Sequence, residues 1–158
     1  MVTEKLHVTI GQVKIGRAGQ SLQAILGSCV GIGFMFPQRG IYGLAHCLLS
    51  NSGRKTDEIT GRHVDSAITS LSSLMELTPA DRRKLRVFLA GGANMTMPVD
   101  TDPARLVGST NANFAKKAVK AAGFRIQHDD LGGLHGRQVN INCDDGTYTI
   151  STIPRLGG

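Results

Sequence analysis

The sequence predicts an α+β fold: a mixed, largely antiparallel sheet with two main helices packed on it. Three observations lead there. Short apolar runs rich in β-branched residues are separated by glycine turns, two longer segments carry helical spacing, and their order is strands, helix, strand, helix, strands. No internal repeat, low-complexity stretch or linker interrupts this order, so residues 1–158 are expected to form a single layered domain.

Leu6, Val8 and Ile10 alternate with polar residues and predict a first strand with one buried face. Gly11, Gly16 and Gly19 mark turns after it. The chain is apolar and β-favouring from Leu22 to Phe36 and again from Ile41 to Leu49, and Pro37-Gln38-Arg39-Gly40 between them signals a hairpin. Val64, Ala67, Ile68, Leu71, Leu74 and Met75 recur at helical steps and predict a helix over about 62–77. Thr78-Pro79-Ala80-Asp81 reads as another helix start, with Thr at the N-cap and Pro at the first position. Arg86 to Ala90 reads as a strand running into Gly91-Gly92-Ala93-Asn94. A long helix beginning near Ser109 or Thr110 buries Phe114, Ala115, Ala118, Val119 and Ala122 and stops at Gly123. Strands follow over 124–128, 138–142 and 147–152, with Asp145-Gly146 as a hairpin turn.

A hydrophobic content of 41% with 19% charged residues describes a globular chain and excludes a disordered one. The opening residues carry no leader-like apolar region, and no run is long enough to span a bilayer, so no membrane insertion is expected. Three cysteines without repeating spacing do not make a disulfide framework, which points to the reducing cytoplasm. The net charge is +6, yet the only dense basic group, Arg82, Arg83, Lys84 and Arg86, has no interleaved aromatics. That group reads as a solvated face in preference to a nucleic-acid groove, with steering toward an acidic partner as the functional alternative.

Leu26-Gly27-Ser28-Cys29-Val30 is the most informative segment. Cys29 has two readings, a buried core cysteine or a nucleophile with unobstructed backbone behind it. If Gln38-Arg39 is the hairpin turn, facing residues have numbers that sum to 77. Cys29 then sits opposite Leu48, with His46 diagonally beside it at about 7 Å and Cys47 on the other face. His46 is accordingly a structural histidine or a general base. As a pair, an imidazolium would lower the thiol pKa from about 8.5, and the N–H groups around Gly27 and Ser28 would receive an oxyanion. Cys29, His46, Cys143, His128 and His135 lack the close ligand pairs of zinc sites, so no metal and no cofactor are expected.

Three segments taken together resemble the CheD family of chemoreceptor glutamine deamidases. They are Leu26-Gly27-Ser28-Cys29-Val30 with Ala45-His46 and Leu48-Leu49; Gly91-Gly92-Ala93-Asn94-Met95; and Asp130-Leu131-Gly132-Gly133 followed by Gly136-Arg137. The resemblance implies an α+β fold related to toxin deamidases and hydrolysis of receptor glutamines to glutamates, with glutamyl methyl-ester hydrolysis as a second activity. It implies Cys29 as nucleophile, His46 as base, the cytoplasmic helices of methyl-accepting receptors as substrate, and a CheC-like phosphatase as a partner. The family's third catalytic position, a threonine that orients the histidine, is Gln23 here, whose amide oxygen would have to accept the imidazole N–H. Asn94, Asp130 and Arg137 are expected to brace the cleft without direct chemistry. Gln23 leaves a second reading of another class, a low-turnover binding module for receptors or a CheC-like partner.

Overall fold

Side chains alternate along the longest strands, and the two faces of that alternation build two separate cores. The computed structural model describes residues 1–155. Its strands are β1 (Glu4–His7), β2 (Val13–Gly16), β3 (Gln20–Leu26), β4 (Val30–Phe36), β5 (Ile41–Cys47), β6 (Arg86–Gly91), β7 (Arg125–Leu131), β8 (Gly136–Asn142) and β9 (Thr147–Ile153). The helices are α1 (Val64–Leu74) and α2 (Val107–Ala121). The strands form one sheet in the order β1-β3-β8-β9 and another in the order β2-β5-β4-β6-β7. Pairing is antiparallel except for β1 with β3 and β6 with β7.

The α+β class and the largely antiparallel pairing are as expected, but the strands divide between two stacked sheets. Val30, Ile32, Phe34 and Phe36 of β4 pack with α1 and α2 on one side of the five-stranded sheet. Met35 of β4 and Phe88 of β6 pack on the other side against Leu22, Ala24, Leu26, Val139 and Ile141 of the four-stranded sheet. The division arises where the apolar run from Leu22 to Phe36 breaks: Gly27-Ser28-Cys29 carries the chain from β3 in one sheet to β4 in the other. The first expected strand also ends early, at His7, and the chain crosses to β2. As a result Val8 is buried while Ile10, expected on the same face, is 59% exposed.

The β4–β5 hairpin has the expected register, with Val30 opposite Cys47, Gly31 opposite His46 and Phe36 opposite Ile41. Its connection is a 3-10 turn over Pro37–Arg39 closed by left-handed Gly40. The helix expected after Thr78 is likewise a single 3-10 turn, Pro79–Arg83, held by a reciprocal capping box between Thr78 and Asp81. Leu85, fully buried, and Val87 draw the chain back into the core before that turn lengthens. Among the described residues, no helix is long and apolar enough to cross a membrane.

Gly33 leaves room for the ring of Phe88, its cross-strand partner on β6. A Cβ there would lie 2.0 Å from Cε2 of Phe88, whose ring stacks on Tyr148 at a centroid distance of 4.1 Å. We therefore expect Gly33→Ala to lower unfolding stability by about 1–3 kcal/mol, the usual cost of overpacking. Urea denaturation reads this directly, and an unchanged midpoint would mean that the ring pair yields freely.

Candidate active site

The turn between β3 and β4 is held from below by a second turn rich in glycine. The Gly27 carbonyl accepts from the N–H of Ala93 at 3.0 Å, and the Cys29 carbonyl accepts from Gly92 at 2.8 Å. A side chain at Gly91, whose φ is +100°, would place Cβ 2.2 Å from the Cys29 carbonyl oxygen, so only glycine permits this approach. The carbonyls of Gly27 and Cys29 are thus engaged, while the N–H groups of Gly27, Ser28 and Cys29 donate to no backbone acceptor among the described residues.

The third glycine segment braces the second. The Gly91 carbonyl accepts from Gly132 and the Gly133 carbonyl accepts from Asn94, both at 2.9 Å. Asn94 folds its own loop by accepting from the N–H of Met97 at 2.9 Å and donating to the Pro98 carbonyl at 3.2 Å. Buried Arg137 pairs with Asp130 at 3.1 Å, donates to the Gly132 carbonyl at 3.0 Å and also bonds the His135 carbonyl. Asn94, Asp130 and Arg137 therefore hold the turns in place, and like Cys29 they do not line the cavity beside His46.

His46 lies on β5 with its backbone fixed on both sides, its N–H donating to Gln12 at 3.0 Å and its carbonyl accepting from Gly11 at 2.9 Å. Its cross-strand neighbour, Gly31, has no side chain, and Cys29 lies two residues before Gly31. Cys29 belongs to the core between the sheets, whereas Cys47 belongs to the core under the helices, so the two thiols occupy opposite faces as expected. The imidazole is 3% exposed, and its Nδ1 lies 2.9 Å from the Val8 carbonyl. A carbonyl oxygen only accepts, so Nδ1 carries the proton and Nε2 presents a lone pair. That Nε2 is buried and has no hydrogen-bond partner among the described residues. Val8, Thr9, Ile10, Gln23, Ala24, Ile25, His46 and Gln138 line a cavity of about 340 Å³ beside this ring.

Comparison with known proteins bears on this arrangement. The family model described as CheD chemotactic sensory transduction matches residues 48–152, more than half of the chain. A probable chemoreceptor glutamine deamidase CheD 2 of Ruegeria sp. (strain TM1040) is 59% identical over 98% of this chain and 95% of its own length. The chain belongs to the CheD family. More distant relatives include a probable chemoreceptor glutamine deamidase CheD of Methanococcus maripaludis (strain C5 / ATCC BAA-1333), 33% identical over 92% of this chain and 93% of its own. The chemoreceptor glutamine deamidase CheD of Halalkalibacterium halodurans is 30% identical over 81% and 80% of the two chains.

In this CheD-family chain Gln23 is not bonded to the histidine. Its amide N–H donates to Asn140 Oδ1 at 3.0 Å, and its part in holding His46 is through the main chain. The Gln23 carbonyl accepts from the Val8 N–H at 2.7 Å, and the Val8 carbonyl in turn accepts from the imidazole. No side-chain pattern announces a backbone acceptor, so sequence reading had no signal for Val8. It also missed Asn111, buried on α2, whose Nδ2 donates to the Leu48 carbonyl at 2.9 Å and anchors the strand end after Cys47. Asn111 did leave a signal: it stands one turn before Ala115 and two before Val119 on the helix's apolar face. The basic group lies at the far end of β6, five residues from Gly91 and so about 17 Å away. There Arg82 is committed to the Ala122 carbonyl at 2.8 Å and to the Phe124 ring, which favours the solvated-face reading of the group.

The expectation of a thiol lowered by an imidazolium is corrected by burial. Desolvation raises the Cys29 thiol and lowers the His46 imidazole, so burial favours the uncharged form of each group. Burial raises Cys143 to about 11 and Cys47 further still. Alkylation of Cys29 by iodoacetamide should therefore lack a plateau near neutral pH and should keep accelerating above about pH 8.5. Rate against pH, read by peptide mass spectrometry, decides this; a flat neutral-pH profile for Cys29 would reveal an ion pair instead.

Proposed function

We propose that this chain is a cysteine-dependent amidohydrolase that deamidates glutamine side chains of chemoreceptors, with Cys29 as nucleophile and His46 as base. The observation that carries the reading is the Nδ1 hydrogen bond to the Val8 carbonyl, which leaves a buried, unpartnered Nε2 on a residue whose cross-strand partner, Gly31, stands two positions after Cys29.

Chemically the sequence of steps balances with these two groups. Nε2 takes the thiol proton as Sγ attacks the carboxamide carbon, and the free N–H groups of the Gly27-Ser28-Cys29 turn receive the oxyanion. The C–N bond breaks, ammonia leaves with the proton from the imidazolium, and a thioester remains. Water then gives a proton to Nε2 and adds to the thioester. The C–S bond breaks, the thiol regains its proton, and the product is a glutamate. A neutral pair suits this order, because charge separates only when substrate has displaced solvent from the cavity. Glutamyl methyl esters offer the same carbonyl to the same pair with methanol as leaving group.

The alternative of a low-turnover binding module drew on the missing threonine. Val8 supports the orienting role without that hydroxyl, so Gln23 no longer argues against turnover. The cytoplasm, where receptor signalling helices lie, is the compartment this reading assigns. A CheC-like phosphatase as partner belongs to the same proposal and follows from the family resemblance.

Incubation with a glutamine-bearing receptor cytoplasmic fragment, followed by peptide mass spectrometry, should find amide-to-acid conversion. Cys29→Ala should abolish it and Cys47→Ala should retain most of it; conversion that survives Cys29→Ala would refute the assignment. Because burial pulls the imidazole down, the base is lost only as pH falls through that lowered value. The acid limb of kcat/KM should thus lie below about pH 6.5. An acid limb near pH 8 would exclude His46 as the group that must be neutral.

A further inference from the structure

Two of the large apolar side chains that the fold leaves in solvent stand on the wall of the cavity beside His46. Ile10 is 59% exposed and Ile25 is 68% exposed, and both line that cavity with Gln23, Gln138 and the imidazole. The backbone explains why they are there. β1 ends at His7 opposite Gln23, two positions short of pairing with Ile25, which alternation along β3 turns to the outer face. Val8 still donates to the Gln23 carbonyl, but its own carbonyl turns to the imidazole and the chain leaves the sheet. The departure that orients His46 therefore also uncovers Ile25 and throws Ile10 outward, so the apolar rim and the base are two results of one turn.

The size of the cavity also asks for more than one side chain. A volume of about 340 Å³ falls at the lower end of the range for whole small-molecule sites, whereas a glutamine side chain is a handful of atoms. Its wall is predominantly apolar, with polar groups confined to the amides of Gln23 and Gln138, Thr9, His7 and the imidazole. Charge offers nothing to a Glu-rich neighbour here, since no Lys or Arg lines the cavity. Resting on the deamidase reading above, we propose that Ile10 and Ile25 determine substrate choice. They receive an apolar side chain of the substrate protein that stands one helical turn from the target glutamine, at i±3 or i±4.

In a helical substrate such a neighbour lies on the same face as the glutamine, about one turn along the axis. Both isoleucines would act before chemistry, as uniform binding that sets KM and leaves kcat alone. Neither carries a group that can exchange a proton or attack a carbonyl, and Cys29 does not line this cavity, so they are specificity residues and not catalytic ones.

The test uses full-length protein and two receptor cytoplasmic fragments with a single reactive glutamine, one carrying Leu and one carrying Ser at all of its i±3 and i±4 positions. On the Leu fragment, Ile25→Ser should raise KM about tenfold with kcat within twofold, and Ile25→Val should restore most of the loss. On the Ser fragment, wild type should already show the raised KM and Ile25→Ser should add little, the non-additivity expected of two groups in contact. An identical effect of Ile25→Ser on both fragments would overturn the proposal, as would no effect on either. A loss confined to kcat would also overturn it and would make Ile25 part of the catalytic geometry. If wild type deamidates neither fragment, the deamidase reading fails and this inference fails with it. Thermal unfolding of Ile25→Ser serves as the control, because an exposed isoleucine contributes little to the core.

Discussion

The hydrogen bond from His46 Nδ1 to the Val8 carbonyl joins the two sheets at the point where the chain passes from one to the other. Val8 sits just past β1 of the four-stranded sheet, and His46 sits on β5 of the five-stranded sheet. The bond sets which ring nitrogen bears the proton, and it spends the carbonyl that would otherwise continue pairing along β3. It also fixes the depth of the ring, since the backbone of His46 is clamped independently by Gly11 and Gln12. The orientation of the proposed base is thus built from main chain, which has no rotamers to order and so gives up less entropy than a side-chain partner would.

The turn of Cys29, the proposed nucleophile, follows the same rule. Cys29 owes its position to carbonyl contacts made by Gly92 and Ala93, and that loop is held in turn by Gly132, Gly133 and the Asp130–Arg137 pair. Gly91 makes the closest of these contacts possible, since a Cβ there would lie 2.2 Å from the Cys29 carbonyl oxygen, whereas Gly132 and Gly133 supply left-handed backbone, at φ +82° and +71°, with open space around them. The three motifs that carry the family resemblance are therefore one mechanical unit. The cysteine is in the first turn, the second turn supports it, and the third supports the second. Burial that comes with such packing raises the Cys29 thiol and lowers the His46 imidazole.

Much of this was legible from residues alone. The sum of 77 placed His46 opposite Gly31 and separated Cys29 from Cys47, because a period of two leaves no other choice once the register is set. Both long helices were visible in their spacing. The division into two sheets was not legible, since Leu22 to Phe36 is apolar on both sides of the turn and reads as one run. Nor was the exposure of Ile10, which follows from where β1 stops and not from its alternation with polar neighbours. Gln23 misled because the sequence offers only side chains as partners for an imidazole, and the partner here is a carbonyl.

The central claim is that Val8 fixes the Nδ1–H form of His46 and leaves Nε2 as a free base. Nitrogen-15 NMR of the histidine rings, with His46 assigned by its loss in His46→Gln, reports this directly. At pH 7 the account predicts a neutral His46 ring with a protonated Nδ1 and a bare Nε2. A ring protonated on Nε2, or an imidazolium at that pH, would contradict it.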